Sequence, residues 1–401
     1  MSRNRLVQQL LLPRHAGWFQ TEVALNNLEQ RSAYSTQLAI RGADSLRAGS
    51  GGRSSVSGVT ATIFGCSGFV GRYVAQSLGA MGTRLVLPYR CDDVDVQHLR
   101  VMGDLGMIVP LKEFNIKNED AVKRAVEGSD LVINLLGADA ETWNYSFEDV
   151  HVKAVETLAK VSKSMGVERF VHFSALGASK DAASRRLRTK AMGEEVVQGE
   201  IGSMSTIFKP ASISGPEDRL FQKLRFQIKK MPFVPLVDGG KQKVQPIWIR
   251  DVALAVSNAL QTYDSVGKTY HLAGPDVYSM AELADFSFKT IRESPNTMSI
   301  PLSVGKMMAG PGDWLSTHTP LRLRFGGMSQ DAVEETAMDL TYDAANATLK
   351  ASDLDVVPHK VTEGIPIEFL RHYRAGGYDM GSMSADGSVV SVQVPPKHQF
   401  D

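Results

Sequence analysis

The chain has 401 residues, enough for one large or two ordinary domains, and 43% of them are hydrophobic, which supports a sizeable core. The 44 basic and 44 acidic residues cancel, so bulk charge gives no sign of nucleic-acid binding, and no apolar run reaches the roughly 18 residues of a membrane span. Two cysteines, Cys66 and Cys91, make no disulfide framework, and no Cys/His cluster has metal-ligand spacing.

Charge is unevenly spread. Residues 1–57 hold seven arginines, no lysine and three acids (Glu22, Glu29, Asp44), which leaves 37 basic and 41 acidic residues for the rest. An arginine- and serine-rich, acid-poor start has the composition of an organelle transit peptide. Asn4–Arg14 fits a short amphipathic helix, and a cut near Tyr34–Ser35 is expected from the arginine and small residues around it. The alternative for 1–57 is an arm that is never cleaved. Either way it stands outside the main fold.

From Thr60 the order is strand, glycine turn, helix. The apolar run Ala61–Phe64, within an expected strand Thr60–Phe64, leads into Gly65, Gly68 and Gly71, and Arg72–Leu78 has helical composition. The first glycine allows the tight turn, the second lets backbone approach a pyrophosphate, and the third lets helix and strand pack closely. The helix N-terminus then offers free N–H groups to phosphate oxygens. Cys66, inside the turn, is read as a small structural residue.

The next apolar run, Arg84–Tyr89, ends at Arg90 in YRCDD. In dinucleotide-binding sheets a carboxylate at this strand end holds the ribose 2′-OH of NAD. A guanidinium there suits a 2′-phosphate, so NADPH is favoured over NADH. On the competing reading Arg90 is a solvated strand-end residue and Asp92 or Asp93 takes the ribose.

Further strands are expected at Met107–Pro110, Leu131–Leu135, Arg169–Ser174 and Ser205–Lys209, with helices at Glu119–Glu127, Phe147–Met165 and Thr189–Gly199. Apolar strands alternating with helices argue an α/β fold: a Rossmann-type doubly wound parallel sheet, ligands at the carboxyl ends of its strands. Past Pro210 the pattern loosens. Pro246–Ile249 precedes a helix at Asp251–Leu260, Thr269–Leu272 reads as a strand, and Met280–Ile291 as a helix. The expected organisation is an arm (1–57), a nucleotide-binding Rossmann domain (58–210), a smaller C-terminal α/β lobe (211–374) closing over the site, and a Gly/Ser-rich tail (375–401).

The segments ATIFGCSGFVGRYV, PYRCDD, MGDLG, VINLLG, RFVHFSALGAS, KAMGEEVV and FKPASISGPEDR occur in this order. Together, over about residues 58–375, they resemble the nucleotide-binding accessory subunit family of mitochondrial respiratory complex I, which is an atypical extended short-chain dehydrogenase/reductase. The resemblance implies roles one position at a time. Gly65, Gly68 and Gly71 would line the pyrophosphate, with Ser67, Phe69 and Val70 completing the turn. Arg90 would take the 2′-phosphate. Asp104 and Leu105 would flank adenine as residues after the third strand. Asn134, Leu135 and Leu136 would pass beside the nicotinamide ribose. Ser174 stands where active relatives carry a catalytic serine, Lys190 matches the motif lysine on the nicotinamide ribose, and Pro210 matches the proline of the nicotinamide loop.

Active relatives place a tyrosine four residues before that lysine. Here the position is Arg186, and no tyrosine occurs anywhere in 151–262. Arginine stays protonated at any working pH and cannot exchange a proton with substrate. The expectation is therefore a non-catalytic NADPH-holding subunit, matrix-side at the mitochondrial inner membrane, with other complex I subunits as partners. The alternatives are an active reductase or epimerase using Ser174, and a soluble NADPH-sensing regulator. Basic runs at Arg185–Lys190 and Lys223–Lys230 could touch a partner subunit or anionic lipid, although solvated helix faces explain them more simply. Met307–Leu315 and Leu321–Phe325 put apolar residues beside Lys306, Arg322 and Arg324, which fits a membrane surface or core packing equally. His151, His172 and His271 are read as structural.

Overall fold

The computed structural model describes residue 40 and residues 54–319, 329–342, 349–362 and 365–374. Apart from those few positions the N-terminal arm and its expected cut lie outside the described residues, as do the tail and Leu321–Phe325.

Seven strands form one sheet in the order β11-β6-β5-β4-β1-β2-β3, and every neighbouring pair is parallel. They are β1 (Thr60–Phe64), β2 (Arg84–Pro88), β3 (Ile108–Leu111), β4 (Leu131–Asn134), β5 (Arg169–Phe173), β6 (Ser205–Pro210) and β11 (Thr269–Leu272). β4 and β5 are buried along their whole length, the mark of a sheet covered on both faces.

Two apolar clusters lie on the two faces. One joins Ala61 and Ile63 to Val74 and Leu78 of α1 (Phe69–Ala80) and to Val252, Val256 and Leu260 of α7 (Ile249–Gln261). The other joins Phe64 and Val132 to α3 (Glu119–Val126), α4 (Ala154–Ser164) and α5 (Arg185–Ile201) through Val122, Leu158 and Val197. The strand residues alternate between the clusters because successive side chains leave a strand on opposite faces. Between β2 and β3 lies α2 (Asp93–Arg100).

Two expected helices differ in detail. Phe147–Met165 becomes a π-helical turn, Asp149–Lys153, running into α4. At that level α5 crosses so closely that a Cβ on Gly193 would lie 2.2 Å from the His151 carbonyl oxygen. Helix α5 also starts four residues before the expected Thr189, with Ser184 Oγ accepting from Leu187 N–H at 3.3 Å.

The smaller lobe gathers Phe221 and Leu224 of α6 (Leu220–Lys230), Leu283 and Phe288 of α8 (Met280–Ile291), Trp248 and Phe369 into its own core. β8 (Val234–Val237) and β13 (Thr297–Ile300) pair in parallel, and α9 (Leu302–His318) packs on α10 (Gln330–Glu335). Four short strands lie nearby, β7 (Ile213–Ser214) paired with β10 (Ile247–Trp248) and β9 (Lys243–Val244) paired with β12 (Tyr278–Ser279). The division at Pro210 puts Thr269–Leu272 in this lobe. In the structure that strand runs along β6 and forms the edge of the main sheet, and α7, also past Pro210, covers the sheet's face. The chain leaves the sheet after β6 and returns to it.

One buried charge ties that return together. Arg169, 2% exposed at the start of β5, donates to the carbonyls of Ala259, Leu260 and Thr262 and to Ser265 Oγ. The carbonyls at the C-terminus of α7 have no helical partners, and a guanidinium supplies several donors in one fork.

Candidate nucleotide site

The parallel sheet brings the ends of β1, β2, β4, β5 and β6 to one edge, and with them the glycine turn, Arg90, Asn134–Leu136, Ser174 and Pro210. Gly65 has φ +85°, and a Cβ there would stand 3.0 Å from the backbone of Leu135. Gly71 is stricter still, since its Cβ would fall 2.4 Å from Gly65 O and 2.7 Å from Cys66. Gly68 is open toward solvent and meets only Gly65 O, at 3.2 Å. Gly68 caps α1 without a side-chain bond, and the first turn carries no acid. The result is an uncovered helix N-terminus behind a glycine cradle, which suits a pyrophosphate. Phe69, Val70 and Tyr73 turn their side chains into the smaller lobe's core, so Phe69 and Val70 can offer a ligand only backbone. Burial pushes the Cys66 thiol up to about 12, and it points at Pro88 O, so it is inert packing.

Beyond β2, Arg90 is exposed, its guanidinium 4.8 Å from the centre of the Tyr145 ring. Asp93 is engaged elsewhere, accepting from Tyr89 Oη at 2.8 Å and from Lys112 Nζ at 3.3 Å. These contacts hold the Asp93 carboxyl below its usual range.

Asp104 and Leu105 are not brought to this edge. β3 begins at Ile108, so the pair precedes it, in a turn where Met107 N–H bonds Asp104 O at 3.0 Å. That turn abuts the C-terminal end of α1, where a Cβ on Gly79 would sit 2.3 Å from Met102 O. Leu105 is 98% exposed there, at the amino end of the sheet. The residues that follow β3 are instead Lys112–Ile116. Phe114 N–H bonds Tyr89 O at 3.0 Å, and Asn115 Oδ1 accepts from Tyr145 Oη at 3.4 Å. Phe114, Asn115 and Tyr145 thus stand together beyond β3 at the carboxyl edge, and sequence reasoning singled out none of them. The strand's offset could have pointed to the first two.

At the far end Asn134 is fully buried. Its Oδ1 accepts from Leu136 N–H at 3.1 Å and its amide donates to His172 Nδ1 at 3.1 Å. Burial, helped by Lys190, pushes His172 down to about 3, so the ring is neutral. Ser174 Oγ donates to Glu194, whose other oxygen meets Lys209 Nζ at 2.6 Å. Lys190 Nζ donates to Ser174 O at 2.9 Å, and burial next to Arg186 lowers it to about 7. His151, pushed to about 2 by burial, bonds Thr189 and the Ala138 N–H and is structural, as expected.

Arg186 is not a solvated helix residue. It forms a bidentate pair with Glu335 of α10, 2.6 and 2.7 Å, and its backbone N–H bonds Asp331. Ser184 Oγ also donates to Asp331 and Glu335. The smaller lobe is thus fastened to the start of α5. It also reaches the other end of the site. A Cβ on Gly215 would lie 2.7 Å from Phe69, Glu217 meets Tyr73 and Arg72, and Arg219 pairs with Asp139.

A family model described as the NAD dependent epimerase/dehydratase family matches residues 61–273. The solved structure of a protein called gox2253 aligns with TM-score 0.57 at 18% identity, over 79% of this chain and 99% of that one. A UDP-glucuronic acid 4-epimerase from Bacillus cereus, solved with NAD, aligns with TM-score 0.53 at 16% identity, over 79% and 100%. At such identities these two matches speak for the fold alone. Sequence relatives are nearer. The Arabidopsis thaliana protein named NADH dehydrogenase (ubiquinone) 1 alpha subcomplex subunit 9, mitochondrial, is 43% identical over 366 residues, 90% of this chain and 88% of that protein. The protein of the same name from Mus musculus is 43% identical over 260 residues, 64% and 67%. The NADH-ubiquinone oxidoreductase 40 kDa subunit, mitochondrial, of Neurospora crassa is 33% identical over 349 residues, 87% and 88%. With its parallel sheet, glycine cradle and near-full-length relatives, the chain belongs to the NAD dependent epimerase/dehydratase family and, within it, to the alpha subcomplex subunit 9 family of mitochondrial NADH dehydrogenase (ubiquinone).

Proposed function

We propose that the protein is a non-catalytic, NADPH-holding accessory subunit of complex I, on the matrix side of the mitochondrial inner membrane. The observation that carries this is the contrast between the two halves of one site. The glycine cradle is open, while the place of the proton donor is filled by an arginine clamped to Glu335. A proton-exchanging acid there needs a titratable group near working pH, and arginine offers none. Ser174 spends its hydroxyl on buried Glu194.

Bound NADPH would supply a hydride at its nicotinamide, and Arg186 gives that hydride no proton to travel with. Gly65, Gly68 and Gly71 would receive the pyrophosphate, Arg90 the 2′-phosphate, Asn134–Leu136 and Lys190 the nicotinamide ribose, with Pro210 beside them. Tyr89 and Lys112 engage Asp93, one of the two carboxylates that compete with Arg90 for the ribose, which supports Arg90 against that one. A ligand bound only to the folded state adds RT ln(1 + [L]/Kd), about 2.7 kcal/mol at a hundredfold excess over Kd. This is a sizeable share of a domain's stability.

The relatives' names supply the partners, other subunits of the complex. Helix α9 supports a nearby membrane surface. It turns small Gly305, Ala309, Gly312 and Ser316 inward, while Met307 and Trp314 are 70% and 61% exposed. Such inverted polarity suits a helix lying on lipid.

The test is to purify the assembled complex from mitochondria, denature it and identify the released nucleotide. NADPH is expected, with Arg90→Asp shifting the preference toward NADH. Finding NADH alone, or no nucleotide, overturns the cofactor assignment. Ser174→Ala is expected to leave electron transfer per assembled complex near normal. Loss of an NADPH-dependent reaction in that variant would instead favour an active reductase.

A further inference from the structure

We infer that Tyr145 is a positioning residue for nucleotide specificity: its ring holds Arg90 and Lys117 together as a two-cation socket for the 2′-phosphate. The inference rests on the NADPH reading and deepens it. Arg90 lies 4.8 Å and Lys117 Nζ 4.6 Å from the centre of the same ring. Each cation stands over the ring, whose negative π-faces favour positive charge there.

The socket is built from three connections at the carboxyl edge. Arg90 follows β2, Lys117 lies beyond β3, and Tyr145 belongs to the loop after β4. The loop is held by a two-way backbone bridge, Thr142 N–H to Tyr145 O at 2.9 Å and Tyr145 N–H to Thr142 O at 3.1 Å. Lys117 is fixed by Asn144 O at 2.8 Å and by Asp149 at 3.4 Å. Arg90 has no ion pair with a carboxylate among the described residues. One cation of the pair is thus compensated and the other is not. A monoester phosphate, carrying about −1.5 to −2 at neutral pH, answers that excess charge and a ribose hydroxyl does not.

The test measures Kd for NADPH and NADH by calorimetry on the full chain and its variants, with thermal midpoints as a folding check. Wild type is expected to prefer NADPH. Tyr145→Phe keeps the ring and should stay within about twofold of wild type, while Tyr145→Leu should lose roughly three- to tenfold in NADPH affinity with NADH unchanged. Lys117→Gln should lose roughly two- to threefold for NADPH alone, and it serves if Tyr145→Leu does not fold. A wild type without preference overturns the NADPH reading itself. A wild type that prefers NADPH, with Tyr145→Leu and Lys117→Gln keeping that preference, overturns only the socket. Equal loss of both nucleotides in Tyr145→Leu would mean the ring packs on the shared adenine, and the socket falls then too.

Discussion

Gly68 and Gly71 stand three positions apart and do different work. A methyl on Gly71 would overlap the backbone of Gly65 and Cys66, and backbone cannot swing aside. Gly71→Ala should therefore cost about 1–3 kcal/mol, as overpacking does, and a denaturant titration would read it. Gly68→Ala touches only one carbonyl and should cost less than about 1 kcal/mol of fold stability. A bulkier residue at Gly68 should instead abolish nucleotide binding, which calorimetry separates from unfolding. A second residue sets a pH dependence. Lys190 is lowered to about 7 by burial and then by Arg186, against about 10.4 for a free lysine. Above pH 7 the unfolded chain keeps a proton there that the folded chain has released, so stability should rise with pH. The window to measure is pH 7 to about 8.5. Below it Asp218, raised to about 7 by burial, contributes a falling slope, and above it the unfolded form of Cys66 starts to ionise. Lys190→Met should flatten the rise, and an unchanged slope would show that another group causes it. The glycine spacing and the place of Arg90 after β2 are legible because each rests on a local backbone demand or a strand end. Asp104 and Leu105 were misplaced because their motif was set after a strand that in fact follows it. Tyr145 sent no signal, since its partners come from other connections.

The start of α5 shows why local sequence is not enough to find a helix's first turn. RRLR carries no acid to favour a helix N-terminus, so the expected start fell at Thr189. The acids come instead from α10, where Asp331 meets the N–H groups of Arg185 and Arg186, and Glu335 lies 149 residues from its partner Arg186. The same contact clamps Arg186, which the sequence alone presents as a solvated helix face. Because Arg186 and Glu335 are 20% and 15% exposed, the pair is better shielded than a surface ion pair. Glu335→Gln should destabilise the protein by about 1–3 kcal/mol, since the guanidinium loses its charge partner. A double-mutant cycle with Arg186→Met and Glu335→Met should give a coupling of about 1–2 kcal/mol. Additive effects would mean that the two helices are held by their apolar packing alone. The π-helical turn before α4 likewise has no local mark in the sequence; it lies where α5 crosses closely at Gly193 and where His151 bonds Thr189 of α5.

The alternation of apolar strands and helices made the doubly wound sheet legible up to β6. Its last strand was legible as a strand but not as a member of the sheet, because parallel pairing between distant segments leaves no local mark. The consequence reaches the whole chain. Residues past 210 include β11, which pairs with β6, and α7, which buries Val252, Val256 and Leu260 against the same face as α1. Arg169 of β5 spends its donors on the end of α7 and on Ser265. A chain ended at residue 210 would expose that face, leave a buried guanidinium without acceptors and open a new sheet edge. We therefore expect residues 58–210 alone to be insoluble or molten, and residues 58–374 to unfold in one cooperative step followed alike by circular dichroism and tryptophan fluorescence. Saturating NADPH should move that single midpoint upward. Two separate transitions, with only the first part of the chain responding to NADPH, would show instead that the lobes are independent and that the returning strand does not couple them.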